Sequence, residues 1–287
     1  MKIARFSHGG VTRLGVVLDE EIADLGADRF PTDVAALLAA DGLEAAAAAV
    51  SGAPRVPLAD VRLHAPVARP PEFLAIGLNY RSHASETGQP LPTVPVFFNK
   101  QSSCVAGPTD EVHIPRVAPA HVDYEGELGF VIGRRCRHVP RQRANEVIAG
   151  FVVVDDVSVR DWQMASPTWT MGKSFDTHGP IGPWLVSPEE VGDPHALGLR
   201  TWVNGELRQE ARTDDLVFDC YDQIAHLSAA FTLQPGTIVS TGTPSGVGFA
   251  RTPPALLAPG DVVRIEIERI GVIENRIVPE PDDTALI

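Results

Sequence analysis

The stretch HVDYEGELGF, residues 121–130, places Asp123, Glu125 and Glu127 at alternate positions. In an extended strand, alternate side chains share one face. Like charges that close repel, and strands disfavour Asp and Glu, so something must offset them. A second oddity lies downstream, where the apolar run FVVVDD ends on Asp155 and Asp156. Unpaired buried carboxylates are costly. A divalent cation answers both, because hard cations such as Mg2+ take carboxylate oxygens and Mn2+ accepts similar ligands. Two glutamates on one strand and an aspartate from a neighbouring strand would form a compact oxygen site. On spacing alone the alternative is a solvated strand face, the ordinary fate of surface acids. A paired-carboxylate glycosidase fits less well, since it sets its carboxylates across a sugar cleft rather than at adjacent same-face positions.

His83 and Glu86 are three apart, so a helix would put them on one face. Such a pair is either ordinary surface chemistry or a base with its orienting carboxylate. The segment TGTPSGVG, residues 241–248, has the glycines of a phosphate loop but lacks its Gly-Lys-Ser/Thr ending, so it reads as a turn needing glycine backbone. Ser102, Ser103 and Ser245 sit in no Gly-x-Ser-x-Gly elbow, which leaves a serine hydrolase unsupported.

The segments IGLNYRSHASETG, DYEGELGFVIG, VDDVSVRDWQ, MGKSFDTHGPIGPWLV, VNGELRQ and VSTGTPSGVG stand in that order. Together they resemble the fumarylacetoacetate hydrolase family, in particular its shorter bacterial members, from residue 73 to about 277. The resemblance implies that Glu125, Glu127 and Asp156 bind Mg2+ or Mn2+. Asp123 falls on no family ligand position and is read as a support for the ligands or as exposed. Asp155 stands where the family usually has Asn, which adds a negative charge beside the site. His83 and Glu86 match a lid that orders over substrate, and Asn79, Tyr80, Gly88 and the polar SETGQP fit a segment that moves. Lys173 is a lone lysine of the kind that ordinarily solvates a surface, but the resemblance makes it an oxyanion or substrate-anion contact near the metal. Lys100, Gln163 and Thr241 are implied substrate contacts, and Arg81 is a further candidate cation from the lid sequence. Arg160 is read as a structural ion-pair partner.

The implied activity is that of a metal-dependent hydrolase cleaving the C–C bond of a 2,4-diketo acid to a 2-oxo acid and a carboxylate. Decarboxylation of an oxaloacetate-type acid and isomerisation of an unsaturated 2-oxo dicarboxylate pass through the same enolate and stand as alternatives. The reading from another class is a metal-stabilised binding protein without turnover, although a scaffold has no need of a lid base. The expected partner is a small anionic 2-oxo acid, and the resemblance implies a homodimer. The group beyond the second carbonyl would be set by Gln89 to Thr93 and by loops around Trp162 to Trp169. Those tryptophans and Met164 read as a partly apolar rim or, about as well, as core packing.

The elements that must position these residues are legible from the whole chain. Its 287 residues suit one large domain with a small appendage. A net charge of −13 argues against nucleic acid, and the lack of a Lys/Arg block argues against a membrane surface. No apolar run is long enough to span a bilayer. Three scattered cysteines make neither a disulfide framework nor a metal motif, and the first twenty residues hold no long apolar h-region, so a reduced cytoplasmic protein is expected. Residues 1–68 read as a small N-terminal α/β unit, with short strands around Gly9-Gly10 and then the helix-favouring DVAALLAADGLEAAAAAV. The proline-rich APVARPPEF marks a boundary, and 69–287 form the catalytic domain. Short strands dominate that domain, with IVSTG and VVRIEIERI as arms either side of the glycine-rich loop. Two helices interrupt, RSHASETG and VFDCYDQIAHLSAAFTL, the latter with Ile224, Leu227, Ala230 and Phe231 as its apolar stripe. The pattern predicts a β-rich α+β fold and not a Rossmann fold, and the resemblance implies a mixed β-sandwich roll.

Overall fold

A computed structural model describes residues 1–284, so the last three residues of the expected 69–287 unit lie outside the described residues. Its centre is an antiparallel pair of strands, Gly126–Ile132 and Ile148–Asp155, in which every residue is buried. Burial on both faces explains why these strands read as continuous apolar runs rather than alternating ones. On one face Leu128, Phe130, Phe151 and Val153 join Leu199, Ile265, Ile267 and Ile273 in one core. On the other, Val131, Val152 and Val154 join Leu14, Val16 and Leu37 in a second core.

The first of those cores is closed by a five-stranded sheet, ordered Glu206–Arg212, Gly198–Val203, Val262–Ile267, Gly271–Pro279 and Val112–Ile114. The central pair itself belongs to a twelve-stranded sheet. Within it Ile148–Asp155 is followed outward by Gly179–Val186, and Gly126–Ile132 by Ile238–Ser240, Phe73–Gly77 and Val96–Lys100. Strands dominate, most pairs are antiparallel, and the fold is a β-rich α+β architecture. Among the described residues no helix is long and apolar enough to cross a membrane.

The N-terminal segment does not make a sheet of its own. Lys2–His8 pairs with Gly179–Val186, Lys2 opposite Val186, so its strands extend the large sheet and its side chains share the second core. Gly9 and Gly10 close its first hairpin at φ 59° and 78°, the left-handed backbone a two-residue turn demands. The helix-favouring alanine-rich run forms two short helices, Val34–Ala39 and Leu43–Ala49. Asp41 turns left-handed between them, and Gly42 lies so close to Leu37 that a Cβ would meet its Cδ1 at 2.5 Å. Asp33 caps the first helix through the Ala35 amide and ties it to the boundary passage through the Ala68 amide, both at 2.8 Å.

Two further expectations change. Ile238–Ser240 and Val262–Ile267 are not arms of a hairpin: they lie in different sheets, and the glycine-rich segment crosses between them. Helix Cys220–Ala230 buries Cys220, Gln223, Ile224 and Leu227, whereas Ala230 is exposed, because the helix ends there and Phe231 is extended.

Gly150 sits where the central strand meets Gly179–Val186. A Cβ there would lie 2.4 Å from the Val186 carbonyl oxygen and 2.9 Å from Leu185 Cγ. Gly150→Ala is therefore expected to destabilise the fold by roughly 1–3 kcal/mol, as overpacking against backbone does. Urea unfolding checks this, and an unchanged midpoint would contradict the packing described.

Candidate active site

The strand register builds the site. Gly126 pairs with Asp155, so the start of one central strand meets the end of the other. The Asp156 amide donates to the Glu125 carbonyl at 2.9 Å and holds the two chain ends together. Glu125, Glu127 and Asp156 consequently present carboxylate oxygens that all lie within 4.8 Å of one another, and all three residues are buried. HVDYEGELGF is not one continuous strand, however. The chain leaves strand geometry at Tyr124 and Glu125, and Val122–Asp123 pairs separately with Ser158–Val159. Asp123 is fully buried rather than exposed; it accepts from Arg160 Nε and Nη2 and from the amides of Gly248 and Phe249.

Three cations offset this negative charge. Lys173 Nζ donates to Glu125 Oε2 at 2.6 Å and to Asp156 Oδ2 at 2.8 Å. Arg160 bridges Asp123 and Glu125, which makes it the ion-pair partner its sequence position suggested. Lys100 donates to Asp156 Oδ1 at 2.6 Å and to the Lys173 carbonyl. Burial alone would raise the Glu125 pKa, but the Lys173 ammonium and the Arg160 guanidinium overcome it and hold the carboxyl down to about 2. Glu127 goes the other way. Burial, then the neighbouring Asp156 and Glu125, push its pKa well above the ordinary carboxylate value. Ser240 Oγ and the Gly242 amide donate to its Oε2 at 2.6 and 2.8 Å and fix its orientation. Asp155 supports the backbone of Glu125, its Oδ1 accepting from the Glu125 amide at 2.9 Å. Burial raises its pKa to about 7, and its other oxygen makes no hydrogen bond among the described residues.

His83 and Glu86 come together on helix Arg81–Glu86. His83 Nδ1 is 3.2 Å from Glu86 Oε2, and Glu86 Oε1 accepts from the Gly246 amide at 2.8 Å. Glu86 thus ties the helix to the glycine-rich loop while it orients the imidazole. A cavity of about 340 Å3 gathers His83, Gln163, Lys173, Arg160 and the three carboxylates into one wall.

Three expected contacts lie outside this cavity. Lys100 has no exposed side-chain surface and acts on Asp156 from behind. Arg81 points to the Asp215 and Leu216 carbonyls, 3.0 and 2.8 Å away. Thr241 is fully buried, its carbonyl accepting from Asn79 Nδ2 at 2.6 Å, and its hydroxyl makes no hydrogen bond among the described residues. Gly242, at φ 106°, turns the chain so that Thr243 lines the cavity in its place. Phe98, Leu78 and Phe249 also line it, and nothing in their local sequence marked them.

The donor set fits a hard divalent cation. Three carboxylates crowd together in a site where the existing cations leave Glu127 at a raised pKa, and a further positive centre relieves that crowding. Below its raised pKa, Glu127 holds a proton that the ion must displace. Metal affinity is therefore expected to rise with pH, with proton release on binding. Mn2+ calorimetry in two buffers of different ionisation enthalpy measures this; pH-independent binding without proton release would contradict the assignment. Asp156→Asn is expected to weaken Mn2+ binding by at least about tenfold, since outer partners alone change affinity by that much.

Comparisons with known proteins agree with the geometry. The family described as fumarylacetoacetate (FAA) hydrolase C-terminal matches residues 72–278, and the one described as Rv2993c-like, N-terminal matches residues 1–66. Human oxaloacetate tautomerase FAHD2A, mitochondrial, is 44% identical over 227 residues, covering 78% of this chain and 72% of that protein. Maleylpyruvate hydrolase from Sphingobium sp. SYK-6, crystallised with manganese(II) and pyruvate, is 37% identical with a TM-score of 0.82, over 98% of this chain and all of that one. Fumarylacetoacetate hydrolase from Exiguobacterium antarcticum is 31% identical with a TM-score of 0.88, over 98% and 100% of the two chains. With its family match over residues 72–278, its strand architecture and its buried acidic triad in agreement, the chain belongs to the fumarylacetoacetate hydrolase family.

Proposed function

We propose that the protein hydrolyses 2,4-diketo acids, cleaving the C3–C4 bond to give a 2-oxo acid and a carboxylate. The observation that carries this reading is His83, held by Glu86 at 3.2 Å, lining the same cavity as the carboxylate triad. Glu125, Glu127 and Asp156 would hold Mg2+ or Mn2+, which supplies Lewis acidity towards the 2-oxo acid end of the substrate. Glu86 accepts from His83 Nδ1 and leaves Nε2 as the basic nitrogen. His83 takes a proton from water, and the resulting hydroxide adds to the C4 carbonyl. Lys173 and Gln163, both in the cavity wall, are the donors for the C4 oxyanion. As the C4 carbonyl reforms, the C3–C4 electron pair leaves with C3, which then takes up the proton. Lys100 serves as a positioning residue for Asp156, and the docked helix Arg81–Glu86 shields the base from bulk water.

A second reading is tautomerisation of oxaloacetate, supported by the name of the 44% identical human relative. A base that serves water at C4 is also within one bond of a proton on C3. A homodimer belongs to the same proposal, and light scattering tests it.

Turnover of an acylpyruvate and of enol-oxaloacetate, measured side by side with Mn2+, separates the two readings. The expected result is faster loss of the acylpyruvate, reduced about 10²- to 10⁴-fold in His83→Ala. Glu86→Gln is expected to lower kcat while Mn2+ binding is retained. Oxaloacetate tautomerisation without acylpyruvate cleavage would replace the first reading with the second.

A further inference from the structure

The cavity has two unlike halves. Its polar half is the sheet end that carries the triad. From there contacts run through Lys173, whose Nζ lies 5.2 Å from the Phe98 ring centre, to Phe98 and then to Trp169, whose ring meets Phe98 edge-on at 5.6 Å. Leu78, Met164 and Phe249 complete an apolar wall. Trp162 does not contribute; it packs against Phe175 at the main core.

Trp169 is held in place by two special backbone positions. Its own φ is 61°, uncommon for a bulky residue. Gly77 lies directly beneath the indole, and a Cβ there would come within 2.4 Å of its ring. Strained backbone of this kind persists where surrounding structure enforces it, and it gathers at ligand sites.

The charges in the wall are already engaged. Arg160 directs Nε and Nη2 to Asp123 and Nη1 to Glu125 and Gln163, and Phe249 covers its guanidinium at 4.4 Å. Lys173 is held at the triad by Glu125 and Asp156, which leaves its third N–H for the reacting carbonyl there and none for the far end. Among the described residues no other Lys or Arg lines the cavity. A carboxylate at the far end of a substrate would therefore meet rings and the neutral side chains of Thr87, Gln89 and Thr243 but no free cation, and burying a charge without one is costly.

The geometry points to selection of 2-oxo acids whose far end is apolar and uncharged, with Trp169 as the specificity-determining side chain. This rests on the proposed 2-oxo acid site and names the group that site accepts. The volume, about 340 Å3, lies at the small end of ligand pockets and suits a short acyl chain or one ring beyond the reacting carbons.

Binding of pyruvate, 2-oxohexanoate and 2-oxoglutarate to the Mn2+-loaded protein by calorimetry tests the inference without relying on turnover. The 2-oxohexanoate is expected to bind at least about tenfold more tightly than 2-oxoglutarate, a step the burial of one or two methylenes can supply. Trp169→Ala is expected to weaken 2-oxohexanoate at least about tenfold more than pyruvate, and Trp169→Phe to recover most of that loss. Gly77→Ala, which displaces the indole, is expected to act like Trp169→Ala. Equal or tighter binding of 2-oxoglutarate overturns the inference, as does an equal loss for pyruvate and 2-oxohexanoate. If pyruvate binds but no diketo acid is cleaved, the hydrolase reading fails and the binding ratio still decides the specificity. If none of the three acids binds, the 2-oxo acid site and the inference fall together.

Discussion

The structure depends on one antiparallel register, Gly126 opposite Asp155. It brings Glu125, Glu127 and Asp156 to one end of two fully buried strands, where water cannot screen them. Much of the surrounding structure then answers that concentration of charge. Lys100 and Lys173 converge on Asp156, Arg160 joins Asp123 to Glu125, and Ser240 with the Gly242 amide holds Glu127. Buried charges persist only when paired and hydrogen-bonded, so these partners are conditions for the strands to stay packed as well as parts of the site.

The scaffold and the chemistry are assigned to different kinds of element. The acidic residues come from the ends of the central strands, clamped between two cores, and keep fixed positions. The proposed base, His83, comes from a six-residue helix tied down by a few hydrogen bonds, including Glu86 to the Gly246 amide. Because Glu86 also contacts His83, docking of the helix and orientation of the imidazole are linked through one carboxylate. A short helix with few anchors is the part of such a structure that can open for substrate at low cost.

The same loop shows how backbone conformation selects the side chains that meet a ligand. Gly242 at φ 106° turns Thr241 inward and Thr243 to the cavity, and it delivers its own amide to Glu127. Gly77 does the equivalent on the apolar side, leaving room for the Trp169 ring where any side chain would collide. One glycine therefore shapes the charged half of the cavity and another the apolar half.

The clustering of Glu125, Glu127 and Asp156 was legible in the sequence, because carboxylates in and at the end of apolar strands need a physical reason and the ordered family motifs single out these three. The His83–Glu86 pair was legible because helical spacing alone puts both on one face, and the β-rich class because short apolar runs between turn residues leave few alternatives. Tertiary structure decided the rest. Lys100 meets Asp156 across 56 residues, and only the sheet order reveals that this lysine stands behind the site rather than in it. The merging of the N-terminal strands into the large sheet follows from pairing Lys2 with Val186, a contact no local pattern encodes. The break at Tyr124-Glu125, which parts Asp123 from the triad, falls where the chain changes partner strand, from Ser158–Val159 to Ile148–Asp155. Spacing along a chain determines which side chains share a face of one element; which face meets which ligand is set by contacts between elements far apart in sequence.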